Sequence, residues 1–293
     1  MKAGCRLFAL AGLSGSVFLT GCSLFPTTRK LPVPRAPAIT QSIAPEELVD
    51  RLDQRSAAIH TLFAKVEIHA TKTKESVATD YPSVDGIILM RKPSDLRVVG
   101  TYAFVRVFDM ASIGDCFTMS IPHYDKVLKG CGTSKHKSAN TLENLRPGFF
   151  FDAILVRGLD PDDRYSVTSE TFMVEDAAKK HLYSVPEYVL RITRYKAGTQ
   201  EEAPVRVVYF HRDDLMPYQQ DIYDNDGNLE TQVTYQGYQD FEGNKYPSVV
   251  TIKRPIEDIQ IVLNVENVKE NQTLGDEQFV VQIPTSSKIV NVE

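Results

Sequence analysis

Few residues in this sequence have the type and spacing that catalysis needs. The histidines, at positions 60, 69, 123, 136, 181 and 211, are scattered. None falls in an H-x-H or H-E-x-x-H spacing that would bring two imidazoles onto one metal ion. There is no G-x-S-x-G nucleophile elbow, and Ser14-Gly15-Ser16 lies in an apolar leader. Asp224-Asn225-Asp226-Gly227-Asn228 carries part of a calcium-loop pattern. However, Ile222 stands where the first acidic ligand belongs and Val233 where the closing glutamate belongs. A hairpin turn between strands ending at Tyr223 and starting at Leu229 accounts for the run better. Asp160, Asp162 and Asp163 read as a solvated turn, and no paired carboxylates stand out among the 38 acidic residues. The expectation is a chain that is not an enzyme and uses no metal or cofactor.

The chemistry that does stand out is thiol chemistry. Leu19-Thr20-Gly21-Cys22 closes a leader in which Lys2 and Arg6 precede an apolar stretch over residues 7–19. That stretch is too short to span a bilayer. The four residues resemble the bacterial lipobox. The resemblance implies cleavage of residues 1–21 and attachment of lipid to Cys22, anchoring the chain to a membrane by its N-terminus. Ser23, rather than an acidic residue, follows, which in enteric bacteria favours the outer membrane.

Cys116 and Cys131 flank a predicted hairpin. If Ile121 faces Lys126, Cys116 falls opposite Cys131, and Phe117, Met119 and Leu128 share the other face. An oxidising envelope favours a disulfide there; two free buried thiols are the alternative.

These residues need a scaffold. The chain has a net charge of −5, and loss of Lys2 and Arg6 makes it more acidic. Binding to nucleic acid, which rests on basic side chains at phosphates, is not expected. Residues 22–44 read as a lipidated, proline-rich tether, with Pro26, Pro32, Pro34 and Pro37 keeping it extended. Arg29, Lys30 and Arg35 would either touch anionic headgroups or serve a solubilising spacer. Residues 45–293 read as one domain. A helix begins at Pro45, with Glu46, Glu47 and Asp50 suiting its positive end and Leu48, Leu52 and Ile59 on one face.

From Thr61 the apolar period changes from 3.6 to 2. Strands are predicted over 61–70, 84–91, 95–101, 103–109, 115–121 and 126–131. A second series covers 165–174, 182–195, 204–211, 217–224, 229–238, 245–254 and 258–268. The clearest alternation is Ile259, Ile261, Leu263 and Val265 against Gln260, Asn264 and Glu266. Joined by short turns, such strands are mostly antiparallel. A sheet that large curls and needs a cover on its concave face. Residues 138–158 are predicted to supply it as helix, with Asn140 or Thr141 as cap and Pro147-Gly148 as a break. Phe149, Phe150 and Phe151 cannot all point one way from a helix, since neighbours lie about 100° apart. Either two enter the core and one meets a loop, or one stands at the mouth of a cavity.

The order of helix, strands, hairpin, helical cover and closing strands over residues 45–284 is similar to the LolA/LolB-like superfamily. The residues that carry this likeness are Leu96-Arg97-Val98-Val99-Gly100, the 117–130 hairpin, Tyr246-Pro247-Ser248, Ile252-Lys253-Arg254-Pro255 and Ile283-Pro284. The resemblance implies a mainly β (α+β) fold: an unclosed antiparallel half-barrel with helices covering its concave face. It also implies a hydrophobic cavity for acyl chains, of lipoproteins or other lipid. Phe117, Met119, Leu128, Phe149, Phe150, Phe151, Ile259, Ile261 and Leu263 would line it. The chain departs from the family in extra material around 158–204, and the receptor's exposed, membrane-inserting hydrophobic loop is not identifiable in the sequence. The implied role is lipoprotein or lipid sorting or transport at the outer membrane, facing the periplasm. The alternative is a structural or sensory envelope lipoprotein that binds a protein partner through a filled version of the same fold.

Overall fold

The computed structural model describes residues 40–131, 148–176, 181–283 and 287–292. Cys22, the leader, most of the tether, His136 and the predicted helix over 138–146 lie outside the described residues.

Helix α1, Pro45–Ala58, opens with proline in its first turn and Glu46 and Glu47 beside its positive end, and has Arg55 in its last turn. Its buried face, Leu48, Val49 and Leu52, packs on Tyr188, Leu190, Ile192, Val208 and Phe210. Ile59 then turns to extended backbone and the chain enters the sheet.

The strands are β1 (Thr61–Lys74), β2 (Val77–Asp80), β3 (Val84–Arg91), β4 (Asp95–Tyr102), β5 (Val105–Ile113), β6 (Cys116–Ile121) and β7 (Lys126–Cys131). Helix α2 (Gly148–Ile154) follows. Then come β8 (Arg164–Asp176), β9 (His181–Tyr195), β10 (Glu202–His211), β11 (Pro217–Tyr223), β12 (Leu229–Phe241), β13 (Asn244–Arg254), β14 (Ile259–Glu270) and β15 (Lys288–Asn291). They form one 15-stranded sheet in the order β15-β7-β6-β5-β4-β3-β1-β14-β13-β12-β11-β10-β9-β8, with β2 beside β1. The sheet stays open, with β15 and β8 at its two ends. Two meanders meet where β14 returns to pair with β1, so the first and last long strands close the centre. Among the described residues the one parallel pair is β15 with β7.

Tight turns explain the antiparallel order. Glu75-Ser76, Ala103-Phe104 and Glu242-Gly243 each have positive φ at both residues, the conformation of a two-residue hairpin. The second of these corrects the strand predicted over 103–109. Ala103 and Phe104 form the turn and β5 begins at Val105. Neither residue favours positive φ, so the sequence carried no turn signal there. The predicted helix over 147–156 is shorter, ending at Ile154.

The C-terminal segment crosses the outer face. Leu274 and Phe279 bury against Leu89 and Phe63. Arg91 donates to the Leu274 carbonyl at 3.1 Å and lies over the Phe279 ring, and Arg97 donates to the Gln278 carbonyl at 2.9 Å.

In the β6–β7 hairpin Ile121 pairs with Lys126 and Cys116 with Cys131, and a disulfide joins the two cysteines. The closed loop of about fifteen residues predicts a stabilisation of about 3 kcal/mol. Non-reducing peptide mapping is expected to recover the linked pair, and reduction to lower the melting temperature. Alkylation of both thiols without prior reduction would contradict this.

Candidate functional site

The apolar residues singled out from the sequence come from β6, β7, α2 and β14, and the fold gathers them into one buried cluster. Phe117, Met119 and Leu128 are 6%, 5% and 4% exposed, and Leu263 is 1% exposed. Ile261 is buried, and Ile259 packs half-buried at the edge. Met110, Val98, Met90 and Val66, on the strands between, belong to the same cluster.

The first reading of the phenylalanine run put two rings in the core and one against a loop. Instead all three are buried, at 7%, 5% and 5% exposure. A helix of seven residues surrounded on several sides has no solvent face to spare. The Phe149 and Phe150 rings lie 4.2 Å apart, and the Arg254 guanidinium sits 5.2 Å from the Phe149 ring centre.

The sheet holds α2 by its last carbonyls, which a helix end leaves without internal partners. Gln220 Nε2 donates to the Asp152 carbonyl at 2.6 Å. The Tyr235 hydroxyl donates to that of Ala153 at 2.9 Å, and the Tyr246 hydroxyl to that of Ile154 at 2.6 Å. Complete burial pushes both phenols well up, so they remain neutral donors. Gln220 is fully buried, and its Oε1 has no hydrogen-bond partner among the described residues.

Beyond α2, charge fixes the chain. Arg206 donates to the carbonyls of Arg157 and Gly158 at 2.8 and 2.9 Å, and Arg157 pairs with Asp152 at 2.9 Å. Burial raises the Asp152 carboxyl and lowers the Arg206 guanidinium, the latter helped by neighbouring Arg157. A cavity of about 20 Å³ lies among Asp152, Arg157, Asp160, Asp163 and Arg206. Asp53 of α1 accepts from the Leu159 amide at 2.8 Å, and a Cβ at Gly158 would come 2.4 Å from that carboxylate. A side chain at position 158 would therefore displace Asp53.

Sequence reasoning missed Gln220, Tyr235, Tyr246 and Arg206. The usable signal was polar or amphipathic residues on the core-facing parity of their strands, where alternation calls for aliphatic ones. It also missed the β4–β5 turn. Tyr102, Phe104 and Val105 are 54%, 105% and 65% exposed there, three large apolar side chains at one tip.

The Asp224 run is a turn between β11 and β12. The Asp224 carboxylate accepts from the Asp226 and Asn228 amides at 2.9 and 2.8 Å, and Gly227 has φ +83°. Among the described residues no group of His, Cys, Asp and Glu is placed to hold a metal ion, and no helix is long and apolar enough to cross a membrane.

No protein-family model matches the sequence, and no curated protein matches it. Solved structures do. A DUF1329 family protein from Desulfovibrio piger superposes with a TM-score of 0.50 at 16% identity, covering 80% of this chain and 95% of its own. A LolA superfamily protein from Nitrosomonas europaea follows with a TM-score of 0.49 at 14% identity, covering 83% and 99%. At 16% identity the likeness to the first is one of fold alone.

Proposed function

We propose that this chain is a non-enzymatic envelope lipoprotein, tethered through Cys22 and residues 22–44, whose domain over 45–293 takes up acyl chains. α2 would be the cover over the concave face of a half-barrel, and the work would be lipoprotein or lipid handling at the periplasmic side of the outer membrane. The observation that carries this reading is the gathering of the apolar residues of β6, β7 and β14 with α2 into one cluster. α2 is tied to the sheet by hydroxyl and amide bonds to its last carbonyls and by the burial of Phe149, Phe150, Phe151 and Ile154. Each such neutral bond contributes about 1 kcal/mol, less than the burial of a single α2 phenylalanine, so opening of α2 would be set by its apolar contacts, which an entering acyl chain could replace. The exposed tip of Tyr102, Phe104 and Val105 would enter the membrane surface from which the chain is taken or to which it is given.

The same exposures favour a second reading. Side chains that are 1–7% exposed already fill their space, as in a structural or sensory lipoprotein that binds a protein partner.

Fluorescent fatty acid separates the two. Acyl binding predicts a saturable signal from the full-length chain, with faster amide exchange over residues 149–155 than in β1 or β14. No binding, together with exchange there as slow as in the central strands, would leave the protein-partner reading.

A further inference from the structure

On the outer face of the sheet, opposite the apolar cluster, lies a cleft of about 360 Å³ lined by Arg106, Ser120, Pro122, Gln282 and Ile283. Its charge is not balanced. Asp109, 1% exposed, accepts a two-pronged contact from Arg97, with Nε at 3.0 Å and Nη2 at 2.8 Å, and a third bond from Arg106 Nη1 at 2.9 Å. Two guanidinium groups thus share one carboxylate, in a chain whose overall charge is −5. Arg97 is held further by the Gln278 carbonyl. Arg106 is 40% exposed, and its Nε and Nη2 meet no protein acceptor among the described residues. Ser120, directly across from Asp109 on β6, is 2% exposed and lines the cleft. Pro122 and Ile283 make the remaining wall apolar.

We infer that this cleft binds the phosphate of an anionic phospholipid headgroup, with Arg106 as the principal donor and Ser120 and Gln282 beside it. A partly buried excess cation, N–H groups without an acceptor and an apolar wall together suit a phosphate ester. The lipid is favoured as its source by position. Arg106 follows the Phe104 tip by two residues, about 7 Å along a strand, which is the step from the acyl boundary to the phosphate level. The assignment of a lipid source therefore rests on the proposal that the tip enters a membrane.

The test is isothermal titration of the full-length chain with monomeric dihexanoyl phosphatidylglycerol and, separately, with inorganic phosphate. The lipid is expected to bind saturably. Arg106→Gln should weaken it by about tenfold or more, as for loss of a charge-assisted hydrogen bond, while Arg106→Lys keeps part of the affinity. Gln282→Glu adds a negative charge to an exposed wall without removing a protein hydrogen bond, and it should weaken binding as well. An unchanged affinity in both Arg106→Gln and Gln282→Glu overturns the site. Inorganic phosphate that binds as tightly as the lipid overturns the lipid as the source. The tip is tested apart from the cleft. In the Cys22→Ser background, Phe104→Ser should reduce flotation with phosphatidylglycerol vesicles and leave the titration unchanged. Flotation unaffected by Phe104→Ser overturns the tip alone.

Discussion

Replacing Cys22 with Ser is expected to leave an uncleaved or mislocalised precursor that takes up no radioactive palmitate. The charged start, the short apolar run and Leu19-Thr20-Gly21-Cys22 coincide in one leader. Only the cysteine thiol can form the thioether to a diacylglyceryl group; a serine hydroxyl at the same place cannot replace it. The effect should be close to all-or-none. Each buried methylene contributes about 0.8 kcal/mol, and a single chain gives only marginal, reversible binding, whereas two or three give a stable anchor. Removing the attachment point removes every chain at once. Fractionation should show the variant lost from washed membranes or retained as the longer precursor. Palmitate label that persists in the substituted protein would overturn the lipobox assignment, and with it the tether proposed over residues 22–44.

Where the chain could be read and where it could not have physical causes. β14 was legible because Ile259, Ile261, Leu263 and Val265 alternate with Gln260, Val262 and Asn264 on a strand with one mostly wet face. Its parity then changes: the ladder shifts between Lys65 and Val66, so that Val268 rather than Asn267 follows Val265 into the core. The hairpin register from Cys116 to Cys131 was legible because a two-residue period and a short turn leave one alignment with both faces consistent. β2 was not legible, since all four of its residues are exposed and no burial imposes a pattern. β15 joins the sheet only through a parallel contact with β7, more than 150 residues back in the chain, and no local signal encodes that. The burial of Phe149 to Phe151 escaped a helical-wheel argument because that argument assumes one solvent face. The attachment of α2 depends on which hydroxyls reach which carbonyls, and that requires three dimensions.

The second large effect is expected from Leu263→Glu. Leu263 is 1% exposed in the middle of β14, paired with Ile68 of β1 on one side and Val250 of β13 on the other, both also buried. A carboxylate placed there meets apolar atoms, with no cation or hydrogen-bond donor in the ladder positions around it. Fluorescent fatty acid binding should fall by on the order of tenfold or more, because any acyl chain entering the cluster would contact the charge. Phe150→Leu keeps an apolar side chain and should change binding less. Loss of binding through unfolding is separated by Ile259→Glu. Ile259 is half-buried at the edge of the same cluster, where water can still reach a carboxylate, so this variant should fold and still weaken binding. The pH dependence gives a further check. Burial raises a carboxyl pKa above the value of about 4.3 in the unfolded chain. The cost of Glu at position 263 is therefore fully present above the raised folded pKa and fades as the pH falls toward the unfolded value. Binding by Leu263→Glu should recover in part on acidification while the wild type stays level. A folded wild type that binds no acyl probe at any pH would instead assign the cluster to structure and the function to a protein partner.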